Sequence, residues 1–169
     1  MPVISERQRA LIGQESARRD APYPVNEAMA RFWCEMVEDA NGIYFDEAYA
    51  RTTWLQEPFA PPPMLLTWMM SPVWPEIDRP SVVARLALDD CPAVIAVNAV
   101  QEYLLPVRYD DRLISTTRIS SISDEKTTRL GTGHFVETVD TFRNQSNQVV
   151  GTHTFTLFVY RPQADGGAS

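Results

Sequence analysis

Residues 128–160 read TRLGTGHFVETVDTFRNQSNQVVGTHTFTLFVY. Two runs rich in Thr, Val and Phe flank the polar stretch RNQSNQ, the pattern of two strands joined by a turn. In the second run Phe155, Leu157 and Val159 fall on one side and Thr154, Thr156 and Phe158 on the other, because strand side chains alternate. Apolar residues stand on both sides, so both faces of this strand are expected to be at least partly covered. Three earlier runs share the character: VVARLAL (82–88), PAVIAVNAVQEYLLPV (92–107) and RLISTTRISSIS (112–123), separated by DDCP, RYDD and SDEK. Successive runs with short turns predict an antiparallel meander, since parallel neighbours need long crossovers.

Upstream of Ser81 the signature is helical. Asn26 is an N-cap with Glu27 placed for the helix dipole. Behind it Met29, Phe32, Trp33, Met36 and Val37 recur at helical spacing, a stripe expected in the core, and Gly42 is a natural stop. A short helix is expected after Asp46. The segment EPFAPPPML then leads into a second apolar helix expected over Met64–Met70, because prolines can stand at a helix's first turn but not inside it. Residues 1–22 read as a polar arm, solvated or lying on another subunit. Residues 23–162 form the domain, and residues 163–169 a disordered tail. Helices followed by about five antiparallel strands make one α+β domain, with helix packed on one sheet face.

Composition narrows the function. A chain of 169 residues is most simply one domain. The net charge of −7, with Lys126 the only lysine, argues against nucleic acid as a partner. Cys34 and Cys91 have no metal-ligand spacing and form no disulfide framework. The longest apolar runs, such as PPPMLLTWMM, are far below the roughly 18 residues that span a bilayer. With no basic start leading into an apolar block, a cytoplasmic protein without membrane contact is expected.

The candidate chemistry lies in EDANGIYFDEAYA (38–50), where the first helix stops between two acidic pairs. A carboxylate there, Asp39, can meet a ligand or serve turn amides. His134 and His153 both fall in predicted strands and read as structural. Nothing pairs Cys34 with a base. The Trp54, Trp68, Trp74 and Met64, Met69, Met70 sets suit a core or subunit interface, with an acyl tunnel as the alternative.

Three pieces, in order, resemble the MaoC-like (R)-specific enoyl-thioester hydratases of the hotdog superfamily. They are EDANGIYFDEAYA with APPPML, then EYLLPVRYDDRL, then GTGHFVETVDTFRNQSNQVV. More closely, the chain looks like the N-terminal dehydratase domain of fungal-type fatty acid synthases and of actinobacterial two-subunit dehydratases, over roughly Tyr23–Pro162. The resemblance implies a hotdog fold, an antiparallel sheet wrapped around a central helix, which the pattern of elements alone shares with other α+β arrangements. In the family motif Gly-Asp-x-Asn-Pro-x-His the Asp and His activate water. Asp39 and Asn41 match, Glu38 replaces the glycine, Gly42 the proline, and Tyr44 the histidine. Asp110 and Asn147 also stand where glycine is usual, and Asn best tolerates the left-handed backbone after glycine.

A phenol near pKa 10 stays protonated at neutral pH and is a poor general base. The resemblance therefore implies a chain with its proton shuttle removed. Asp39, Asn41 and Tyr44 are the catalytic-position residues, and Tyr44, Phe59, Pro62, Met64 and Trp68 the acyl-binding ones. No metal or cofactor is implied, coenzyme A being part of the substrate. The partner implied is a complete MaoC-like catalytic subunit in a heterodimer or heterotetramer, acting on a long-chain or steroid-type enoyl thioester. Alternatives are a self-sufficient homodimer working as a thioesterase or dehydratase through Asp39 or Glu38 with water, and a non-enzymatic acyl-thioester-binding scaffold.

Overall fold

Thirteen ladder positions join the two strands that open the sequence reading, and the sheet is built around them. The computed structural model describes residues 4–75 and 81–163. Its strands are β1 (Arg19–Asp20), β2 (Ala93–Tyr103), β3 (Ile114–Ile122), β4 (Lys126–Thr128), β5 (Gly131–Arg143) and β6 (Val149–Pro162). They form one sheet in the order β1-β3-β5-β6-β2, with β4 also on β5 and every named pairing antiparallel. The α-helices are α1 (Glu6–Arg9), α2 (Glu27–Val37) and α3 (Glu47–Ala50). No helix among the described residues is long and apolar enough to cross a membrane.

The alternation expected in β6 is present. Val159 and His153 share the inner face with Val136, Thr138 and Phe142 of β5. Phe158, on the other face, is buried beneath ring stacks with Phe135 and Tyr160. Two apolar clusters cover the inner face. One joins Ala30 of α2, Met64, Trp68 and Met69 to Leu113, Phe142 and Val150; the other joins Leu86 and Cys91 to Ile119, Val136 and Val159.

Five expectations are corrected. The run VVARLAL is not a strand: Ser81 caps a 3-10 helix over Val82–Leu86 that ends at left-handed Ala87. Val82, Val83 and Leu86 pack together on the second cluster, a helical spacing rather than an alternating one. The Met64–Met70 helix is two 3-10 turns, Pro62–Leu65 and Thr67–Met69, because three prolines remove successive N–H donors and the remaining run is too short to nucleate an α-helix. The simple meander fails at β2, which pairs with β6 rather than β3. The connection between β2 and β3 crosses the molecule, held by Ala60 N–H donating to Val107 O (2.8 Å) and Val25 N–H to Asp111 O (2.9 Å).

Helix α2 sits on its small residues, Ala30 and Cys34, flanked by Met29 and Trp33, while Phe32, Met36 and Val37 of the predicted core stripe are exposed. The N-terminal arm is part of the sheet. Gly13 and Ser16 N–H groups donate to Ile119 O (2.8 Å) and Thr117 O (2.7 Å), and Ala21 N–H donates to Leu113 O (2.9 Å), so the arm runs along the free edge of β3. Of the predicted disordered tail, residues 164–169 lie outside the described residues.

The turn at Asn147 keeps the left-handed backbone expected of it, with φ 61°. The other two positions where the family favours glycine do the same: Glu38 has φ 58° and Asp110 φ 68°. A left-handed non-glycine residue costs roughly 1–2 kcal/mol, and glycine's extra unfolded-state entropy returns about 0.5–1 kcal/mol of that. Glu38→Gly is therefore expected to stabilise by about 0.5–1 kcal/mol, raising Tm by about 1–4 °C for a chain of this size. Asn147→Gly, starting from a residue that already tolerates the conformation, is expected to stay within about 1 °C. Calorimetry of the two variants checks the pair; an unchanged or lowered Tm for Glu38→Gly contradicts the strain argument.

Candidate functional site

The EDANGIYFDEAYA stretch folds as a series of side-chain-capped turns. Asn26 opens α2 by accepting from Met29 N–H (3.0 Å), and left-handed Glu38 closes it. Asp39 N–H returns to Cys34 O (2.9 Å). The Asp39 carboxylate accepts from Asn41 N–H (3.1 Å), and the Asn41 side-chain Oδ1 accepts from Ile43 N–H (3.1 Å), which starts the 3-10 turn Gly42–Tyr44. Asp46 caps α3 through Tyr49 N–H (3.0 Å). Asx turns of this kind are what Asp and Asn do best locally.

A cleft of about 390 Å³ opens at this end of α2, lined by Arg31, Cys34, Glu35, Glu38, Asp39, Ala40 and Phe45. The Arg31 guanidinium lies 4.7 Å from the Phe45 ring centroid and is paired with Glu27 (2.6 Å). Tyr44 is buried and lines neither this cleft nor a second space. Its ring meets Phe45 edge-on at 6.0 Å and Phe59 at 5.6 Å, and its carbonyl accepts from the Tyr109 hydroxyl (2.7 Å). Burial, then the Asp39 charge and then Cys34 push the Tyr44 phenol above its ordinary pKa. Burial and Asp39 likewise raise the Cys34 thiol. Burial first, then Glu27, raises the Tyr109 hydroxyl further still. These three groups therefore stay protonated near neutrality, and none can accept a proton there.

The second space, about 240 Å³, is an apolar groove whose lining includes Trp54, Phe59, Pro62, Leu65, Leu104, Leu105 and Val150. Neither histidine lines cleft or groove. His153 Nδ1 is 3.3 Å from Asp140 Oδ2, its cross-strand neighbour, and the ring stacks on Phe155; His134 Nδ1 is 2.9 Å from Ser123 O. Both imidazoles are buried.

The structure thus brings Asp39 to the cleft, leaves Asn41 as an exposed turn former, and buries Tyr44 on neither cleft nor groove. Phe59 and Pro62 lie on the groove. Met64 and Trp68, expected on an acyl surface, are instead sealed in the main core cluster. Trp54, for which an acyl tunnel was the alternative expectation, lies on the groove, and sequence reasoning missed Arg31, Phe45, Leu104 and Leu105. The signal for the last two is an apolar pair directly after a strand and before a proline, where a partner-free chain would place polar residues.

Residues 10–153 match the family described as FAS1-like, dehydratase domain region. The chain is 32% identical over 166 residues to a probable enoyl-CoA hydratase alpha subunit of Thermomonospora curvata, covering 94% of this chain and 52% of that protein. It is 31% identical over 148 residues to the 3-oxo-4,17-pregnadiene-20-carboxyl-CoA hydratase alpha subunit of Mycobacterium tuberculosis, covering 80% of this chain and 46% of that one. The chain spans about half the length of these curated relatives. Among solved structures, a chain of the ChsH1-ChsH2 complex from Mycobacterium tuberculosis has a TM-score of 0.85 at 24% identity, covering 96% of this chain and 94% of that one. A MaoC-like dehydratase from Rhodospirillum rubrum has a TM-score of 0.61 at 18% identity, covering 90% and 94%. Family match and shared architecture agree: the chain belongs to the FAS1-like dehydratase-region family, with the hotdog fold of the MaoC-like dehydratases.

Proposed function

We propose that this chain is the non-catalytic or weakly catalytic half of a heteromeric enoyl-CoA hydratase, with the Asp and His that activate water supplied by a MaoC-like partner. The observation that carries the reading is Tyr44: a buried phenol with a raised pKa, standing beside Asp39 at the position of the motif histidine. Water addition to an enoyl thioester needs a group that takes a proton from water and a group that returns one to the α-carbon. The carboxylates on the cleft are Glu35, Glu38 and Asp39; among the described residues no imidazole lines it, and the Cys34 thiol on it and the buried Tyr44 phenol hold their protons. The names of the two relatives, both alpha subunits of hydratases, support the division of labour.

A bulky acyl group, steroid-type or long-chain, suits this half. Where a continuous helix was expected, the chain has two 3-10 turns, and the groove beside them is apolar and bordered by Phe59 and Pro62. The polyanionic coenzyme A end would meet a chain of net charge −7, so its phosphates belong on the partner's surface. Water adds across the double bond: hydroxyl to the β-carbon, proton to the α-carbon, giving a 3-hydroxyacyl thioester.

Loss of the enoyl-thioester absorbance, followed for this chain, for a small MaoC-like protein of the same organism, and for the two co-expressed, tests the proposal. Hydration only in the mixture is the expected result. Equal turnover by this chain alone overturns it in favour of a self-sufficient enzyme using Asp39.

A further inference from the structure

The crossing between β2 and β3, residues 104–113, carries one wall of the groove and the hydroxyl that holds Tyr44. Leu104, Leu105, Pro106 and Val107 line the groove, Arg108 bridges to Phe59, and the Tyr109 hydroxyl donates to Tyr44 O (2.7 Å). The segment belongs to no helix or strand, so its course depends on individual hydrogen bonds. Main-chain bonds from Ala60 and Val25 hold Val107 and Asp111. The turn between those two points passes through Asp110 at φ 68°, a conformation that residues with a side chain disfavour.

A buried carboxylate closes that turn. Asp111 is 5% exposed. Its Oδ2 accepts from Arg108 N–H (2.7 Å), and its Oδ1 accepts from the Gln145 side-chain amide (2.9 Å). The Gln145 Oε1 in turn accepts from Arg112 N–H (3.0 Å). Gln145 stands between β5 and β6, in a turn that Asn144 organises by accepting from Ser146 and Gln148 N–H (3.1 and 3.0 Å). The Arg108 guanidinium pairs with Glu57 rather than with Asp111. The pattern is chemically exclusive: position 111 must present two acceptors, and position 145 one donor and one acceptor. An asparagine at 111 could serve Arg108 N–H only by turning its NH2 on that of Gln145. A flipped Gln145 would then turn its own NH2 on Arg112 N–H.

We propose that Asp111 is a positioning residue for acyl binding: with Gln145 it anchors the groove wall and the Tyr109–Tyr44 contact to the β5–β6 hairpin. Neither side chain lines the groove. The anchor holds Leu104 and Leu105 against Phe59 and Pro62 in advance, so an arriving acyl chain does not have to order them. The acyl part of this inference rests on the hydratase reading above; the anchor itself does not.

Asp111→Asn and Gln145→Glu, made singly and together, test it. Each single change sets like groups against each other, two NH2 groups or two carboxylates. The double change reverses donor and acceptor and keeps an acceptor for both Arg108 and Arg112 N–H. Each single variant of the free chain is expected to lose about 2–10 °C in Tm, and the double variant to regain most of it. Hydrogen exchange of the Leu104, Leu105 and Asp110 amides, bonded to Val150 O and Val25 O, is expected to quicken and recover in step. In the complex with the MaoC-like protein, affinity for palmitoyl-CoA, a saturated thioester that is not hydrated, is expected to fall at least about fivefold in each single variant and to return in the double, with butyryl-CoA affinity within about twofold throughout. Additive Tm losses in the double variant overturn the anchor. A role confined to stability would lower Tm and leave the ratio of the two affinities unmoved; that result, or a parent complex that binds neither thioester, overturns the positioning role. Rescue of Tm, exchange and palmitoyl-CoA affinity with no hydration by any combination upholds this inference and removes the activity reading.

Discussion

A fall of about 10²–10⁴ in kcat is expected when the catalytic imidazole of the proposed partner is removed from the proposed heteromeric hydratase, and less than about threefold when Asp39→Asn or Tyr44→Phe is made in this chain. The asymmetry follows from which groups can exchange a proton. Removing a positioned acid–base residue forfeits its full contribution, whereas a phenol whose pKa is raised by burial and by Asp39 is already protonated at pH 7 and cannot take a proton from water. Tyr44→Phe leaves the ring between Phe45 and Phe59 and leaves the backbone carbonyl that receives the Tyr109 hydroxyl, so the local packing is retained. Asp39→Asn keeps an oxygen for the Asn41 amide. Both changes are therefore conservative for structure and discriminating for chemistry. Single-turnover hydration by each purified complex provides the measurement. A loss above about a hundredfold for Asp39→Asn would place this chain's own carboxylate on the reacting water.

What the sequence made legible was whatever depends on neighbours along the chain. The Asn26 cap, the alternation in β6, the turn at Asn147 and the phenol at Tyr44 are all decided within a few residues. Features decided by contacts between distant segments were hidden. β2 lies beside β6 because the 104–113 crossing is pinned to residues 25 and 60, far upstream in sequence. The stripe on α2 marked the helix correctly but not its docking face. Ala30 and Cys34 allow close approach to the core, which leaves Phe32 and Met36 facing out. The arm carries too few apolar residues to announce burial, yet it is ordered by main-chain hydrogen bonds to β3, and these leave no compositional trace.

The site divides along the same line. Asp39 and Tyr44 were found because a motif is local. The groove was missed in part because Leu104 and Leu105 are brought beside Trp54, Phe59 and Pro62 only by the fold. An exposed apolar pair after an edge strand whose one charged residue is Glu102 is a readable signal once both are considered together. Each alone reads as ordinary strand-end sequence.

Trp68 offers the sharpest test of where the core ends and the acyl surface begins. Trp68→Ala is expected to cost about 3–5 kcal/mol, lowering Tm by about 6–20 °C, as for large-to-small changes in a packed core. The side chain is 2% exposed and belongs to the cluster containing Met64, Met69, Leu113 and Phe142, so its loss leaves a void that these neighbours only partly fill. Trp68→Phe is expected to cost only about 1–2 kcal/mol. The indole Nε1 is buried with no hydrogen-bond partner, and its removal relieves a desolvation penalty of about 1–3 kcal/mol that offsets much of the lost volume. If Trp68 instead lined the acyl space, both variants would leave Tm nearly unchanged and raise KM for long acyl chains, because its surface would already face a cavity. Calorimetry of the free chain, set beside KM of the complex for short and long enoyl-CoA, separates these outcomes. A Tm shift below about 2 °C for Trp68→Ala would return this residue to the substrate and the core boundary to Met64.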